Sequence, residues 1–277
     1  GITSRHSSTY CQGLYMLPSN SRKFRDRKRT GPGTVNLNKS IVQSCDVYFY
    51  DLALSLGIDS IHDYLGQFGF GRRTGIDILG ELPGLLPSRK WKRARRDQPW
   101  FPGETIITGI GQGFFLTTPI QLAVATAALA NGGRILQPKI VHAEQAASSS
   151  ELSPHHPRLI ENISIGNQLH WDHVIQAMID VVHSARGTAR RIGEDSPYRI
   201  AGKTGTAQVF GLKEEEEYDA ETIEEKLRDH ALFIAFAPSE APTIVVAVIV
   251  EHGGGGGSVA APIARLILDA YLEDPPQ

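Results

Sequence analysis

Residues Ala201-Gly202-Lys203-Thr204-Gly205-Thr206-Ala207 decide how the rest of the chain is read. Gly202-Lys203-Thr204 invites comparison with a phosphate-binding loop, whose first glycine would fall at position 197. That residue is Pro, and the β-prone run Tyr198 to Ala201 leads straight into Lys203, which leaves no room for the loop. Gly109-Ile110-Gly111-Gln112-Gly113 fails as a dinucleotide fingerprint in the same way, because position 114 is Phe where glycine is required. What remains is a strand bordering a cleft. Lys203 would supply positive potential, the hydroxyls of Thr204 and Thr206 would receive a carboxylate, and Gly205 would let a ligand backbone lie close.

Downstream of this stretch, Ala231 to Ala237 and Thr243 to Glu251 are rich in β-branched and aromatic residues and read as two more strands. The acidic run Glu214 to Glu225 reads as a solvated excursion, and Gly253 to Gly257 as a mobile turn. A closing helix follows, with Pro262 in its first turn and Ile263, Ala264, Ile267, Leu268 and Tyr271 on one face.

Upstream, Thr118, Pro119 and Gln121 form a capping box before Ile120 to Ala130. That body is apolar almost all round, which predicts a buried helix ended by Gly132 and Gly133. Trp171 to Val182 is a further helical segment, and Glu144 to Pro157 an exposed loop. Gly69 to Gly113 should be loops with short pieces of structure.

Leu37, Ile41, Cys45, Phe49, Leu52 and Leu56 recur at helical spacing, with Asn38 as a cap and Gly57 as a stop. In one unbroken helix Ser44 and Asp46 would point about 200° apart. They can share a site only if the helix breaks, with Asp46 capping a second helix. Ile61 to Phe68 should be a short helix capped by Ser60, and residues 1–35 read as loop. Helices inside, then consecutive strands, then a closing helix give an α+β fold, taken as one domain over residues 1–277.

At 41% hydrophobic and 21% charged, the 277 residues hold ample material for a core. Formal net charge is −2, and no basic stripe alternates with aromatics, which argues against nucleic acid as a partner. Two basic runs, Arg22 to Arg29 and Arg89 to Arg96, read most simply as solvated loop surface. The longest strongly apolar run, Ile244 to Val250, falls far short of the ~20 residues that span a bilayer. The two cysteines, Cys11 and Cys45, leave a single bridge, two free thiols and a metal site all open.

Lys203-Thr204-Gly205 matches the K-T-G element of serine penicillin-recognising enzymes. Ser44-Cys45-Asp46 stands where that group carries S-x-N. Phe24-Arg25-Asp26, Gly75-Ile76-Asp77, Gly109 to Gly113, Thr117 to Gln121, Lys203 to Gly211, Arg228-Asp229-His230 and Phe236-Ala237-Pro238 follow in order. With these motifs, nearly the whole chain resembles the penicillin-binding protein 2 family, transpeptidases of bacterial cell elongation. The resemblance implies a serine β-lactamase/transpeptidase-like fold, an antiparallel sheet packed between a helical cluster and terminal helices.

It further implies a D,D-transpeptidase that cross-links peptidoglycan stem peptides ending in D-Ala-D-Ala through a serine acyl-enzyme, and that β-lactams trap. Ser44 would relay a proton, Asp46 would hydrogen-bond the peptide, and Lys203 would set the potential. Thr204, Gly205 and Thr206 would hold the substrate, the Thr206 N–H forming half of an oxyanion hole. The family's nucleophile lies in S-x-x-K, and no Ser here has Lys three positions later. The resemblance places that motif shortly before residue 1, so the expectation is an incomplete domain, inactive alone.

Some members of the family hold zinc, at positions matching Cys11, Asp26, Pro32 and Cys45. Pro32 cannot ligate, which leaves Cys11, Asp26 and Cys45 for one structural zinc. By the same resemblance the protein works at the periplasmic face of the inner membrane, beside a membrane glycosyltransferase. The competing readings are a D-Ala-D-Ala carboxypeptidase or β-lactamase, for which no water-activating base is identified, and a non-catalytic β-lactam sensor or scaffold.

Overall fold

The computed structural model describes residues 3–4, 6–17, 22–145, 151–209 and 224–273. Its N-terminal part corrects the expectation of a loop. It holds four short strands, β1 (Ser8–Cys11), β2 (Leu14–Met16), β3 (Lys23–Arg25) and β4 (Gly33–Asn36), paired antiparallel as β1–β4 and β2–β3. Strands of three or four residues are too short to show a period. Their inward residues Cys11, Phe24 and Val35 nonetheless share a core with Val47, Tyr48 and Tyr50.

The predicted helix break is present, between α1 (Leu37–Gln43) and α2 (Asp46–Leu56). The capping residues are different ones. Asn36 caps α1 by accepting from Lys39 N, and Asn38 instead donates to Asp180 at 2.8 Å. Asp46 is the first residue of α2 and Cys45 precedes it without a side-chain cap bond. α3 (Ile58–Gln67) begins earlier than Ile61, preceded by Gly57 in place of Ser60, because fully buried Ile58 draws the chain into the helix.

The glycine-rich span contains two helices, α4 (Arg89–Arg96) and α5 (Pro102–Thr108), so the second basic run is not loop. Ser88 caps α4 through Trp91 N, and the cations of its last turn suit the helix C-terminus. Lys92 is buried and paired with Glu104 of α5, its ammonium 4.4 Å from the centre of the Phe101 ring.

The capping box of Thr118 and Gln121 opens α6 (Pro119–Ala130) as expected. Beyond it come β5 (Arg134–Leu136), β6 (Ala143–Gln145), β7 (Leu152–Pro154) and β8 (Leu159–Asn162). β6 pairs with β7, so the described ends of the expected 144–157 loop form a hairpin ladder, while β5 pairs with β8. α7 (Gln168–His183) is the predicted Trp171 helix, longer at both ends.

The central sheet is β9 (Ala201–Ala207), β10 (His230–Ala237) and β11 (Ile244–Val250), antiparallel in the order β11-β10-β9. The expected strand at Tyr198 to Ala201 lies a few residues late, because pairing with β10 starts at Ala201. Most of the acidic excursion falls outside the described residues. α8 (Ala261–Glu273) closes the chain, preceded by a short π-helix over Gly256–Ala260.

Successive residues of β10 face opposite sides of the sheet. Phe233 and Ala235 share a cluster with Ala264 and Leu268 of α8, and Phe236 with Met178 and Ile179 of α7. The sheet therefore lies between helices as the fold class implies. Of the face read from sequence, Ala264 and Leu268 of α8 are buried, but Ile263 and Ile267 are exposed, so the buried stripe is rotated to run through Ala261, Ala264 and Leu268. Gly256 is no mobile turn either. It is buried, and a Cβ there would stand 2.4 Å from Gly205 O of β9.

Candidate active site

β9 is an edge strand of the central sheet, and its open edge carries the site. Thr206 O accepts from Gln112 Nε2 at 2.7 Å and Thr204 O accepts from Lys203 Nζ at 2.8 Å, so both carbonyls point away from β10. In an antiparallel ladder a residue's N–H shares the side of its C=O, so the N–H groups of Thr204 and Thr206 face the same open edge. An acceptor laid along β9 meets two aligned donors there.

Ser44 reaches this edge from the helix break. It ends α1 in the left-handed region, at φ 55°, ψ 54°, which turns its side chain off the helical path. Its Oγ accepts from Lys203 Nζ at 2.8 Å across 159 residues of sequence. Asp46, two residues on, accepts from Arg27 N at 3.1 Å. Burial, then the charge of Asp26, push the Asp46 carboxyl up to about 6, against the Arg27 N–H and the charges of Lys203 and Arg27. Burial draws Lys203 down to about 8, opposed by the Asp46 charge. A lysine in that range can hold an anion and exchange a proton near neutral pH.

The remaining K-T-G residues divide. Thr204 Oγ1 lies 3.0 Å from Thr188 Oγ1, and Thr206 is exposed at the edge. A Cβ on Gly205 would stand 3.1 Å from Leu232 Cβ on β10, so the neighbouring strand supplies a packing reason for glycine there. Between the turn after β3 and the loop after α7 a cleft of about 340 Å³ opens, lined by Arg27, Lys28, Pro32, Gln43, Arg186 and Thr188.

Sequence reasoning gave no site role to Gln112, Thr188 or Arg27. Gln112 sits between Gly111 and Gly113, at φ +75° and +76°, in the segment set aside as a broken fingerprint. Its signal was the sharp turn that two such glycines make around one amide. Arg27 was hidden in a basic run, and Thr188 gave no signal.

Cys11, Asp26 and Cys45 come together as a separate buried group, their donor atoms all within 4.8 Å of one another. Both cysteines are free thiols, and Cys11 Sγ donates to Asp26 Oδ2 at 3.4 Å. Asp26 also accepts from Val47 N at 3.2 Å and Lys28 N at 2.9 Å, which joins the cluster to the start of α2 one turn from Ser44 and Asp46. Burial pushes the Cys45 thiol well up, so it holds its proton unless a metal replaces it.

Comparison with known proteins gives a consistent result. The penicillin binding protein transpeptidase domain matches residues 1–269. The peptidoglycan D,D-transpeptidase MrdA of Haemophilus influenzae is 42% identical over 272 residues, 98% of this chain and 41% of the relative. This chain thus spans about two fifths of the length of that curated relative. The crystal structure of Pseudomonas aeruginosa penicillin-binding protein 2 in complex with WCK 5153 is 44% identical, with TM-score 0.85, over 99% of this chain and 56% of that one. A chain from a peptidoglycan synthase complex that coordinates polymerization and crosslinking is 28% identical, with TM-score 0.80, over 100% of this chain and 44% of that one.

Proposed function

The chain belongs to the penicillin-binding protein transpeptidase family, and from that premise we propose that it contributes the binding walls of a peptidoglycan D,D-transpeptidase of cell elongation. The observation that carries the reading is the Lys203–Ser44 hydrogen bond at the open edge of β9. Two remote segments converge there on a place suited to an extended peptide ending in a carboxylate.

A stem peptide ending in D-Ala-D-Ala would lie along β9, its terminal carboxylate on the hydroxyls of Thr204 and Thr206 under the potential of Lys203. Its scissile carbonyl would meet the outward N–H of Thr206, which stabilises the oxyanion as it forms. The attacking serine of the family lies in S-x-x-K, a motif this sequence does not contain. Acyl transfer forms the serine ester as the C–N bond to the last D-Ala breaks, and the departing amine takes a proton. Lys203 and Ser44 form the hydrogen-bonded relay on which that proton can move. An amine from a second stem peptide then takes the acyl group and frees the serine. β-Lactams, which mimic the D-Ala-D-Ala end, would occupy the same edge.

The relative's activity supports a cell-wall role, and the family's setting points to the periplasmic face of the inner membrane. The structure from the peptidoglycan synthase complex supports a membrane glycosyltransferase as partner. Two thiols and a carboxylate suit a zinc ion, which would tie β1, the turn after β3 and the start of α2 together. Pro32 gives no fourth donor. Asp26 itself joins these elements through Cys11, Lys28 and Val47, and the Arg27–Asp46 hydrogen bond adds a second link between the turn and α2.

The test is mass spectrometry of products made by the full-length protein from a stem-pentapeptide donor and an amine acceptor. The account expects a cross-linked dimer with release of D-Ala. Release of D-Ala with water as the sole acceptor would turn the reading to a carboxypeptidase.

A further inference from the structure

We infer that Arg27, Lys28 and Arg186 form a second anion subsite that selects peptides bearing a carboxylate upstream of the C-terminal one; the inference rests on the acyl-donor reading above. Arg27 and Lys28 come from the turn after β3 and Arg186 from the loop after α7. The two segments meet across the 340 Å³ cleft, with Gln43 and Thr188 as its polar walls. All three cations are exposed, and among the described residues none of the three is in an ion pair.

Two carboxylates lie nearby, Asp46, which the Arg27 main-chain N–H engages, and buried Asp26, which the Lys28 main-chain N–H engages. Neither of them lines the cleft, whose charged side chains are all cationic. A single terminal carboxylate on Thr204, Thr206 and Lys203 would supply no counter-charge within that cleft. The Thr188–Thr204 hydroxyl contact makes the two places continuous, so one ligand can occupy both. Two guanidinium forks also favour a planar carboxylate, which they can hold by paired hydrogen bonds.

The experiment measures binding of two peptides to the full-length protein by calorimetry at low salt. They are N-acetyl-Glu-Lys(acetyl)-D-Ala-D-Ala and the same peptide with Gln for Glu. The Gln peptide reads the acyl-donor place, and the ratio of the two affinities reads the subsite. The Glu peptide should bind about tenfold tighter, the scale of one charge-assisted contact. The preference should shrink steeply with salt. It should fall below about twofold in the Arg27→Gln/Arg186→Gln double variant and persist in Arg186→Lys, which keeps the charge. Equal binding of the two peptides by the wild type, or a preference that survives the double variant, overturns the subsite and leaves the acyl-donor reading standing. Failure of both peptides to bind overturns both.

Discussion

The two basic runs look alike in sequence and end differently. Arg22 to Arg29 contains Asp26, and Arg89 to Arg96 contains Lys92; each run turns one charged residue inward. Asp26 is buried among N–H and S–H donors next to Asp46 at the helix break. Lys92 is buried against Glu104 and two aromatic rings, on a helix that contributes no residue to the cleft lining. Charge density along the chain says nothing of which residue goes inside. That choice is made by the partner the fold brings, a set of donors in one run and a carboxylate in the other.

Substitutions in the two runs should therefore differ in kind as well as size. The largest loss of stability is expected from Lys92→Ala, which leaves Glu104 partly buried without its cation and empties the space under Phe101. Breaking such a pair costs about 3 kcal/mol or more. Thermal and denaturant melting should show it while peptide binding at β9 stays intact in whatever remains folded. A loss below about 1 kcal/mol would mean the pair is as weak as a surface one.

Asp26→Ala should be milder in stability, about 2 kcal/mol, for the unpaired Val47 N–H in the core. It should differ in a second readout. Elemental analysis of reduced wild-type protein is expected to find roughly one zinc, and of Asp26→Ala far less, since one of three donors is gone. A metal-free wild type with both thiols titratable would remove zinc from the account and leave Asp26 a purely structural acceptor. The smallest effect belongs to Arg93→Gln on the exposed face of α4, within about 0.5 kcal/mol of wild type. A larger loss would show that the helix cations do more than favour the C-terminal dipole.

The same contrast explains what the sequence made legible. α6 was readable to its cap, because Thr118, Pro119 and Gln121 act on adjacent backbone groups and need no tertiary partner. β10 and β11 were readable from β-branched runs long enough to show a pattern. The helix break at Ser44 followed from the need to bring Ser44 and Asp46 to one place, though the capping residues did not. The strands before residue 36 were hidden by their length, and α4 by the assumption that eight residues with six cations must be loop. Lys203, Ser44, Asp46, Thr204 and Thr206 were found through motif and resemblance. Gln112, Thr188 and Arg27 join the site through contacts 94, 16 and 19 residues away, which no local pattern encodes.

The central claim is that Lys203, held against Ser44, sets the potential of the β9 edge. The most direct measurement is the second-order rate of acylation by penicillin in the full-length protein, for wild type and Lys203→Ala, alongside thermal melting. Loss of a positioned charge at a reacting centre costs on the order of a hundredfold in rate. Because burial lowers Lys203 to about 8, the ammonium is lost as pH rises through that value. The wild-type rate should therefore fall above about pH 8, and the variant, lacking the group, should show no such limb. The account predicts a hundredfold slower variant with a melting temperature close to wild type. A rate within about threefold of wild type, under ~1 kcal/mol, with the same pH limb in both proteins, would contradict it.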